Sequence, residues 1–440
     1  MILYQLKNHF VMNETNCIFD TNKNPICLPT KVYEKLRIKV MNKFNLKNLP
    51  SLNEIKDLLL IDSNIQLENR IKEFLDEKVD EEFRVKVPNI YYHGLSGYNL
   101  IKIFSPEHGI KTIGADGTFM KDEMDEITGL PIISLYGEKF MPSENDLADI
   151  DIMLFDIPDA GTRFYTYLWS MTYWIEAAAK FQKQVIILDR PNPLGGSIPM
   201  SEGPMLDDTL TSFIGRFNIP IKHQCTLGEL AKYFNTNQGW NANIKIINCE
   251  GWNREQLFYD WNLQWANPSP ALQNIEANIL YPGLCFFEAT NLSVGRGTKY
   301  SFEWIGAEWI NISAMAMACQ TILRKDIIIE PMSLHLTVNG VSTETKGLRL
   351  KVIEPLYYDA VLNGLLLIKF VKDIHPRDFK WMPYPTTANP TGENHLSLLL
   401  GIPNAENIFD LPLQQWLQKM GAVLRVDEWR TLIEPYLIYK

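Results

Sequence analysis

Glutamate beside histidine at 107 and 108, in the run Ser-Pro-Glu-His-Gly over 105–109, is the pair in this chain best suited to moving protons. Just before it, Leu100, Ile101, Ile103 and Phe104 read as a short buried strand. Pro106 has no N–H to give a sheet ladder and ends that strand. Glu107 and His108 therefore fall just past a strand's carboxyl end, where open α/β sheets bind their ligands, and Gly109 lets the backbone turn sharply. Two later apolar runs finish the same way, residues 151–156 delivering Asp156 and residues 185–189 delivering Asp189. Carboxylates converging on one edge push one pKa up and leave another ionised, as a general acid and its partner base or nucleophile require. Glycoside hydrolysis is the most familiar use of such a pair. Asp156 and Asp189 would serve equally as caps of the turns or helices that follow them, so both roles stay open.

Arg163, Arg190 and Arg296 all lie in loops bounded by Gly or Pro. The planar arginine fork suits a carboxylate or phosphate ligand, and the glycines of Gly-Arg-Gly at 295–297 let backbone approach one closely. Tyr165, Tyr167, Trp169, Trp261 and Trp265 could stack on sugar rings or simply fill the core. There is no G-x-G-x-x-G after the first strand, no P-loop and no G-x-S-x-G elbow, which argues against nucleotide cofactors and serine hydrolase chemistry. His223 and Cys225 are half of a zinc site with no second pair at ligand spacing, so no metal and no cofactor is expected. His9, His93, His335, His375 and His395 have no partner that spacing reveals.

The elements that must position these residues follow from the whole chain. Its 440 residues suit two or three domains of roughly 100–200 residues. A composition 46% hydrophobic and 11% aromatic supplies large cores. The net charge of -10 argues against a nucleic-acid partner, since a phosphate-binding face needs a basic excess, yet it is compatible with a small anionic ligand. No run approaches the ~20 apolar residues of a membrane helix. The N-terminus lacks the basic-then-apolar pattern of a signal peptide, and the six cysteines are scattered. A reducing compartment fits that cysteine usage, and a cytoplasmic location is the expectation.

Residues 1–52 are polar, with one possible amphipathic helix over 32–44, and form an N-terminal appendage. A first strand is expected over 57–62, followed by a helical pattern through Ile71, Phe74 and Leu75. Strands at 131–136, 151–156 and 185–189 then alternate with a helix over 168–181, and Thr226 with Glu229 forms a capping box for another. Alternation of this kind implies βαβ units and a mainly parallel sheet with helices on both faces. A strand over 244–248 follows. Residues 261–270, 281–283, 291–298 and 302–306 read as aromatic loops. Strands at 334–338 and 348–353 and helices at 361–371 and 411–419 complete an α+β segment. The expected division is 1–52, 53–235 and 236–440.

A resemblance can be named on long, ordered motifs: Ser-Pro-Glu-His-Gly at 105–109, Asp-Ile-Pro-Asp-Ala-Gly-Thr-Arg-Phe-Tyr-Thr-Tyr at 156–167, Leu-Asp-Arg-Pro-Asn-Pro-Leu-Gly-Gly at 188–196 and Glu-Gly-Pro at 202–204. It continues through Tyr-Pro-Gly at 281–283, Thr-Asn-Leu-Ser-Val-Gly-Arg-Gly-Thr at 290–298 and Phe-Glu-Trp-Ile-Gly-Ala at 302–307. With these the chain resembles the NamZ-type exo-β-N-acetylmuramidases, formerly a domain of unknown function. The resemblance implies a Rossmann-like catalytic domain over 53–235, a smaller C-terminal auxiliary domain over 236–440, and a cleft between them. It implies release of terminal N-acetylmuramic acid from the non-reducing end of peptidoglycan fragments, a small carbohydrate substrate. Glu107 is the family's leading catalytic candidate, with His108, Asp156 and Asp189 in support. Arg163, Tyr165, Arg190, Asn192, Glu202, Asn291 and Arg296 are the expected substrate contacts. The lactyl carboxylate of muramic acid calls for a cation, Arg163 or Arg296, and would separate this sugar from N-acetylglucosamine. The first hundred residues depart from the family, whose opening strand ends in a Thr-Asn-rich loop; the nearest counterpart here is Ile-Asp-Ser-Asn at 61–64. A non-catalytic sugar- or anion-binding paralogue is the rival reading, because fold does not fix function. Retention or inversion turns on carboxyl separation, about 5 Å against roughly 6.5–9.5 Å, and on whether the substrate's acetamido group serves as nucleophile, neither of which a sequence gives.

Overall fold

The computed structural model describes residues 100–440 apart from 126–128, 262, 264, 323–326 and 339, together with the backbone of two short strands, β1 (Cys17–Phe19) and β2 (Pro25–Cys27). The expected helix over 32–44, strand over 57–62, helical pattern at 71–75 and loop at 61–64 lie outside the described residues, as do His9 and His93. The chain divides into two compact units, Met1–Ile103 with Glu123–Ile132, and Phe104–Asp122 with Ile133–Lys440. The boundary falls within β3 (Ile103–Ser105) and, later, within β5 (Pro131–Ser134). In the smaller unit β1 and β2 pair antiparallel, and β4 (Glu123–Met124) pairs antiparallel with the first two residues of β5.

The larger unit carries the parallel sheet. Its strands β6 (Ile152–Phe155), β7 (Gln184–Leu188) and β8 (Asn243–Ile247) lie in that order, Ile152 opposite Gln184 and Gln184 opposite Asn243. Alternate residues of β6 and β7, namely Met153, Phe155, Val185 and Ile187, enter the core, whereas edge strand β8 exposes Asn243, Lys245 and Ile247. Parallel neighbours need crossover connections, and these contain α1 (Thr166–Lys180) and α2 (Leu227–Asn237). Helix α1 is apolar on nearly every side, so it sits inside the protein, with Tyr167, Leu168 and Trp169 fully buried. Helix α2 begins with the expected capping box: the Thr226 hydroxyl accepts the Glu229 N–H at 3.2 Å and the Glu229 carboxylate accepts the Thr226 N–H at 3.0 Å. The α/β class expected from the alternation is the one adopted.

Beyond β8 come α3 (Ile275–Leu284), β9 (Trp304–Gly306), α4 (Ile312–Ile322), a long hairpin of β10 (Ile327–Val338) and β11 (Val341–Val352), α5 (Ala360–Ile374) and α6 (His395–Leu400). The strands form an antiparallel sheet in the order β10-β11-β9. Two expectations need correction. Tyr-Pro-Gly at 281–283 is not a loop but lies inside α3, although Pro282 forfeits the bond its N–H would make one turn back. Packing outweighs that loss. The helix is buried along almost its whole length, and Gly283 meets Gly364 of α5 so closely that a Cβ on Gly364 would lie 2.2 Å from the Gly283 carbonyl oxygen. Residues 302–306 are likewise not all loop, because 304–306 form β9. The Trp304 ring covers Gly306 and Gly347 on the paired strands, and its indole N–H donates to the Met332 carbonyl at 2.9 Å. The strand expected at 334–338 is part of the longer hairpin, and so is that expected at 348–353 up to residue 352, where β11 ends.

Candidate active site

Glu107 follows β3 by two residues, where Pro106 has ended the ladder. His108 and Gly109 both take left-handed backbone conformations, φ 67° and 72°, and the reversal is closed by the Gly114 N–H donating to the His108 carbonyl at 3.0 Å. A histidine in that conformation is strained, and strain of this kind concentrates at functional sites. The turn carries the Glu107 side chain into a socket where it is only 6% exposed. One carboxylate oxygen accepts the Gly117 N–H at 2.8 Å, and the other accepts the hydroxyl of Thr166, the first residue of α1, at 2.7 Å. Burial is the largest influence on this carboxyl and raises its pKa above the ordinary value. The Asp116 charge adds to the rise, while His108, Thr166 and Gly117 oppose it. Tyr136, itself buried, turns its hydroxyl to Glu107. Burial first and then the Glu107 charge push that phenol up, so it stays a donor.

His108 Nδ1 lies 2.9 Å from the Gly114 carbonyl oxygen. A carbonyl can only accept, so Nδ1 carries the proton and Nε2 is the nitrogen left to act. The ring meets Tyr167 edge-on at 6.3 Å, and Tyr167 in turn meets Tyr165 at 4.9 Å. Glu107, His108 and Asp116 each offer one possible ligand atom within 4.8 Å of the others. Among the described residues this is where a cation could be held. However, both Glu107 oxygens already accept hydrogen bonds, and a guanidinium stands beside Asp116. That donor set suits proton handling better than a cation.

Asp116 opens a second, charged layer. Its Oδ2 accepts the Tyr384 hydroxyl at 2.6 Å and its Oδ1 lies 3.4 Å from an Arg296 guanidinium nitrogen. Arg296 also pairs with Glu288 and lies over the Phe302 ring, 4.8 Å from its centroid. Burial alone would raise the Glu288 pKa, but the Arg296 charge and then His395 overcome it and hold the carboxyl at about 2. His395, the first residue of α6, lies 3.5 Å from Glu288 and stacks on Tyr384 at 4.7 Å, which closes the loop of contacts.

The structure thus brings Glu107, His108 and Arg296 together, with Tyr165 beside Tyr167 and close enough for the Glu107 charge to act on its phenol. The other expected site residues have partners within the protein. Asp156 pairs with Arg190, its Oδ1 accepting the Arg190 Nε–H at 3.0 Å. Asp189 is fully buried at the start of α2, accepting the Gly228 N–H at 2.8 Å and the Thr226 and Tyr439 hydroxyls at 2.7 Å each. Burial carries its pKa up to about 6 against those three donors. Asn192 pins its own turn, accepting from the Leu194 N–H and donating to the Cys225 carbonyl. Glu202 pairs with Lys222 at 2.9 Å and accepts the Ala360 and Val361 N–H groups at the start of α5. Asn291 ties its loop to Asp378 and Lys380. Arg163 is fully buried, its guanidinium donating to the carbonyls of Pro204, Ile219 and Leu399 at 2.7, 2.9 and 2.9 Å. Arg163 thus spends both terminal nitrogens on carbonyls, and Arg296 commits Nη2 to Glu288 with Asp116 beside it.

Sequence reasoning missed Asp116, Tyr136, Thr166, Glu288, Tyr384 and His395. A signal existed for Asp116, an acid beside glycine in the loop that directly follows the Glu107 turn. Tyr384 and His395 lie more than two hundred residues away, and no spacing points to them.

Comparison with known proteins follows the same line. A family model described as the N-terminal part of the exo-β-N-acetylmuramidase NamZ matches residues 54–276, and its C-terminal counterpart matches residues 279–439. The chain is 34% identical over 322 residues to the peptidoglycan β-N-acetylmuramidase NamZ of Bacillus subtilis (strain 168), covering 72% of this chain and 77% of that protein. A solved DUF1343 family protein of Bacteroides fragilis NCTC 9343 superposes with a TM-score of 0.69 at 27% identity, over 80% of this chain and 89% of that one. A second from the same organism gives a TM-score of 0.57 at 26% identity, over 78% and 87% of the two chains.

Proposed function

The chain belongs to the family of the exo-β-N-acetylmuramidase NamZ, and from that membership we propose that it removes terminal N-acetylmuramic acid from peptidoglycan fragments, with Glu107 protonating the departing glycosidic oxygen. The observation that carries the role of Glu107 is its socket. The carboxyl is desolvated, its pKa is raised, and both of its oxygens are fixed by donors from Gly117 and Thr166. A carboxyl whose pKa is raised by burial holds its proton to higher pH than an exposed one and can give it up in the transition state, when charge develops on the leaving oxygen. Tyr136 and the Nδ1-protonated His108 complete the wall around it.

The four described cysteines, Cys225, Cys249, Cys285 and Cys319, are all free thiols, which supports work in a reducing compartment such as the cytoplasm. No helix among the described residues is long and apolar enough to cross a membrane. The substrate there would be a small disaccharide or muropeptide.

The test is hydrolysis of the disaccharide of N-acetylmuramic acid β-1,4-linked to N-acetylglucosamine, read by release of the free muramic sugar, beside a para-nitrophenyl β-N-acetylmuraminide. Turnover of both is expected. Saturable binding of N-acetylmuramic acid with no turnover of either would replace the enzyme with a sugar-binding paralogue.

A further inference from the structure

The muramidase reading uses one carboxylate, and the geometry around it holds another. Asp116 and Glu107 offer their nearest ligand atoms within 4.8 Å, and a single peptide fixes that spacing. The N–H that binds Glu107 belongs to Gly117, the residue after Asp116. The Gly117 carbonyl is held in turn by the Thr387 N–H and hydroxyl, both at 2.8 Å. Gly117 sits at φ 64°, and a Cβ there would come within 2.7 Å of the Thr386 side chain, so the residue that links both peptides has one seat.

The two carboxyls differ in their surroundings as an acid and a nucleophile should. Glu107 is enclosed at 6% exposure, whereas the Asp116 side chain is 31% exposed and takes the Tyr384 hydroxyl on one oxygen with Arg296 beside the other. Asp156 pairs through Oδ1 with Arg190, and Asp189 is held by four donors at the start of α2.

We propose that Asp116 is the second carboxylate of the reaction, the nucleophile that faces the anomeric carbon while Glu107 protonates the leaving oxygen, and that hydrolysis proceeds with retention. The assignment rests on the muramidase reading above. In the first step an Asp116 oxygen forms a bond to the anomeric carbon. The glycosidic carbon–oxygen bond breaks, its electron pair goes to the leaving oxygen, and that oxygen takes the Glu107 proton. In the second step Glu107, now a carboxylate, takes a proton from water as the water oxygen bonds to the anomeric carbon. The ester bond to Asp116 breaks and its electron pair returns to the carboxylate. Two inversions restore the starting configuration. Oxygens no more than 4.8 Å apart are compatible with this route, for which carboxyl separations of about 5 Å are usual, whereas an inverting site needs roughly 6.5–9.5 Å to fit a water. Tyr384 and Arg296 are positioning residues for Asp116, and Glu288 and His395 hold Arg296.

The experiment follows the full-length enzyme on the nitrophenyl muraminide by proton NMR in the first seconds, then repeats it with Asp116→Ala and Asp116→Asn in the presence and absence of sodium azide. The β anomer of free N-acetylmuramic acid should form first with the wild type. Both variants should lose nearly all turnover, and azide should restore Asp116→Ala with an α-glycosyl azide as product. First formation of the α anomer overturns the proposal and needs no variant to fold. Retention accompanied by an active Asp116→Ala, or by loss without an azide product, gives the nucleophile's role to the substrate's own acetamido group and also overturns it. Absence of wild-type turnover on both the nitrophenyl and disaccharide substrates is the separate outcome that removes the muramidase reading, and this proposal with it.

Discussion

Replacing Glu107 by Gln should cripple the enzyme unequally on two substrates while leaving the fold intact. The socket tolerates the change. The amide oxygen of glutamine can still accept the Gly117 N–H, and the Thr166 hydroxyl can rotate to accept from the new amide N–H. What is lost is the proton. General acid catalysis is worth roughly 10²–10⁴-fold, or about 3–5 kcal/mol of transition-state stabilisation. That loss should fall in full on the natural disaccharide, whose sugar alkoxide is a poor leaving group. On the nitrophenyl muraminide the leaving anion is already stable, and the loss in the bond-breaking step should be far smaller. The assay is kcat/KM for both substrates with wild type and Glu107→Gln, alongside thermal unfolding to show that the variant is folded. Equal losses on the two substrates, or no loss on the disaccharide, would refute the assignment of Glu107 as the acid.

Further expectations concern titration, stability and metal. Because burial raises the Glu107 pKa and the acid must be protonated, activity should fall as pH rises through that raised value; Thr166→Val removes a donor that lowers it and should move this basic limb to higher pH. The same shift makes ionised Glu107 a cost to the fold. Stability is fully present below the unfolded value of about 4.5 and is lost as pH rises through the folded one, so Glu107→Gln should raise Tm at neutral pH more than at about pH 4. Glu202→Ala should cost about 3–5 kcal/mol in chemical denaturation, since it strands buried Lys222 and uncaps α5; a loss below 1 kcal/mol would contradict the buried pairing. Dialysis against EDTA should leave turnover unchanged, and a metal requirement would refute proton handling by Glu107, His108 and Asp116.

The sequence was most legible where a local rule and the packing agree. Pro106 ending β3 placed Glu107, and Thr226 with Glu229 announced the start of α2, because both signals act within four residues. It misled at Tyr-Pro-Gly 281–283, where the proline rule gave way to the closeness of two glycines on different helices, a contact between residues 283 and 364. The acids at 156 and 189 show another limit. A carboxylate past a strand end can face a ligand or take up an arginine or a helix start, and only the three-dimensional partners separate these uses. The layer of Glu288, Tyr384 and His395 was illegible because its members meet only through folding.

Arg163 has a consequence for how the molecule opens. Its guanidinium is fully buried and donates to three carbonyls, and one of these belongs to Leu399, in the last turn of α6, a helix end where carbonyls lack internal partners. The far end of that six-residue helix is His395. A fluctuation that frays α6 must therefore break a charged hydrogen bond in the interior and at the same time release the histidine that stands against Glu288. Local opening of 395–400 is thermodynamically coupled to the segments at 204 and 219, so amide exchange in the three should slow and quicken together. Strengthening the active layer with a bound sugar would then protect amides that no sugar touches.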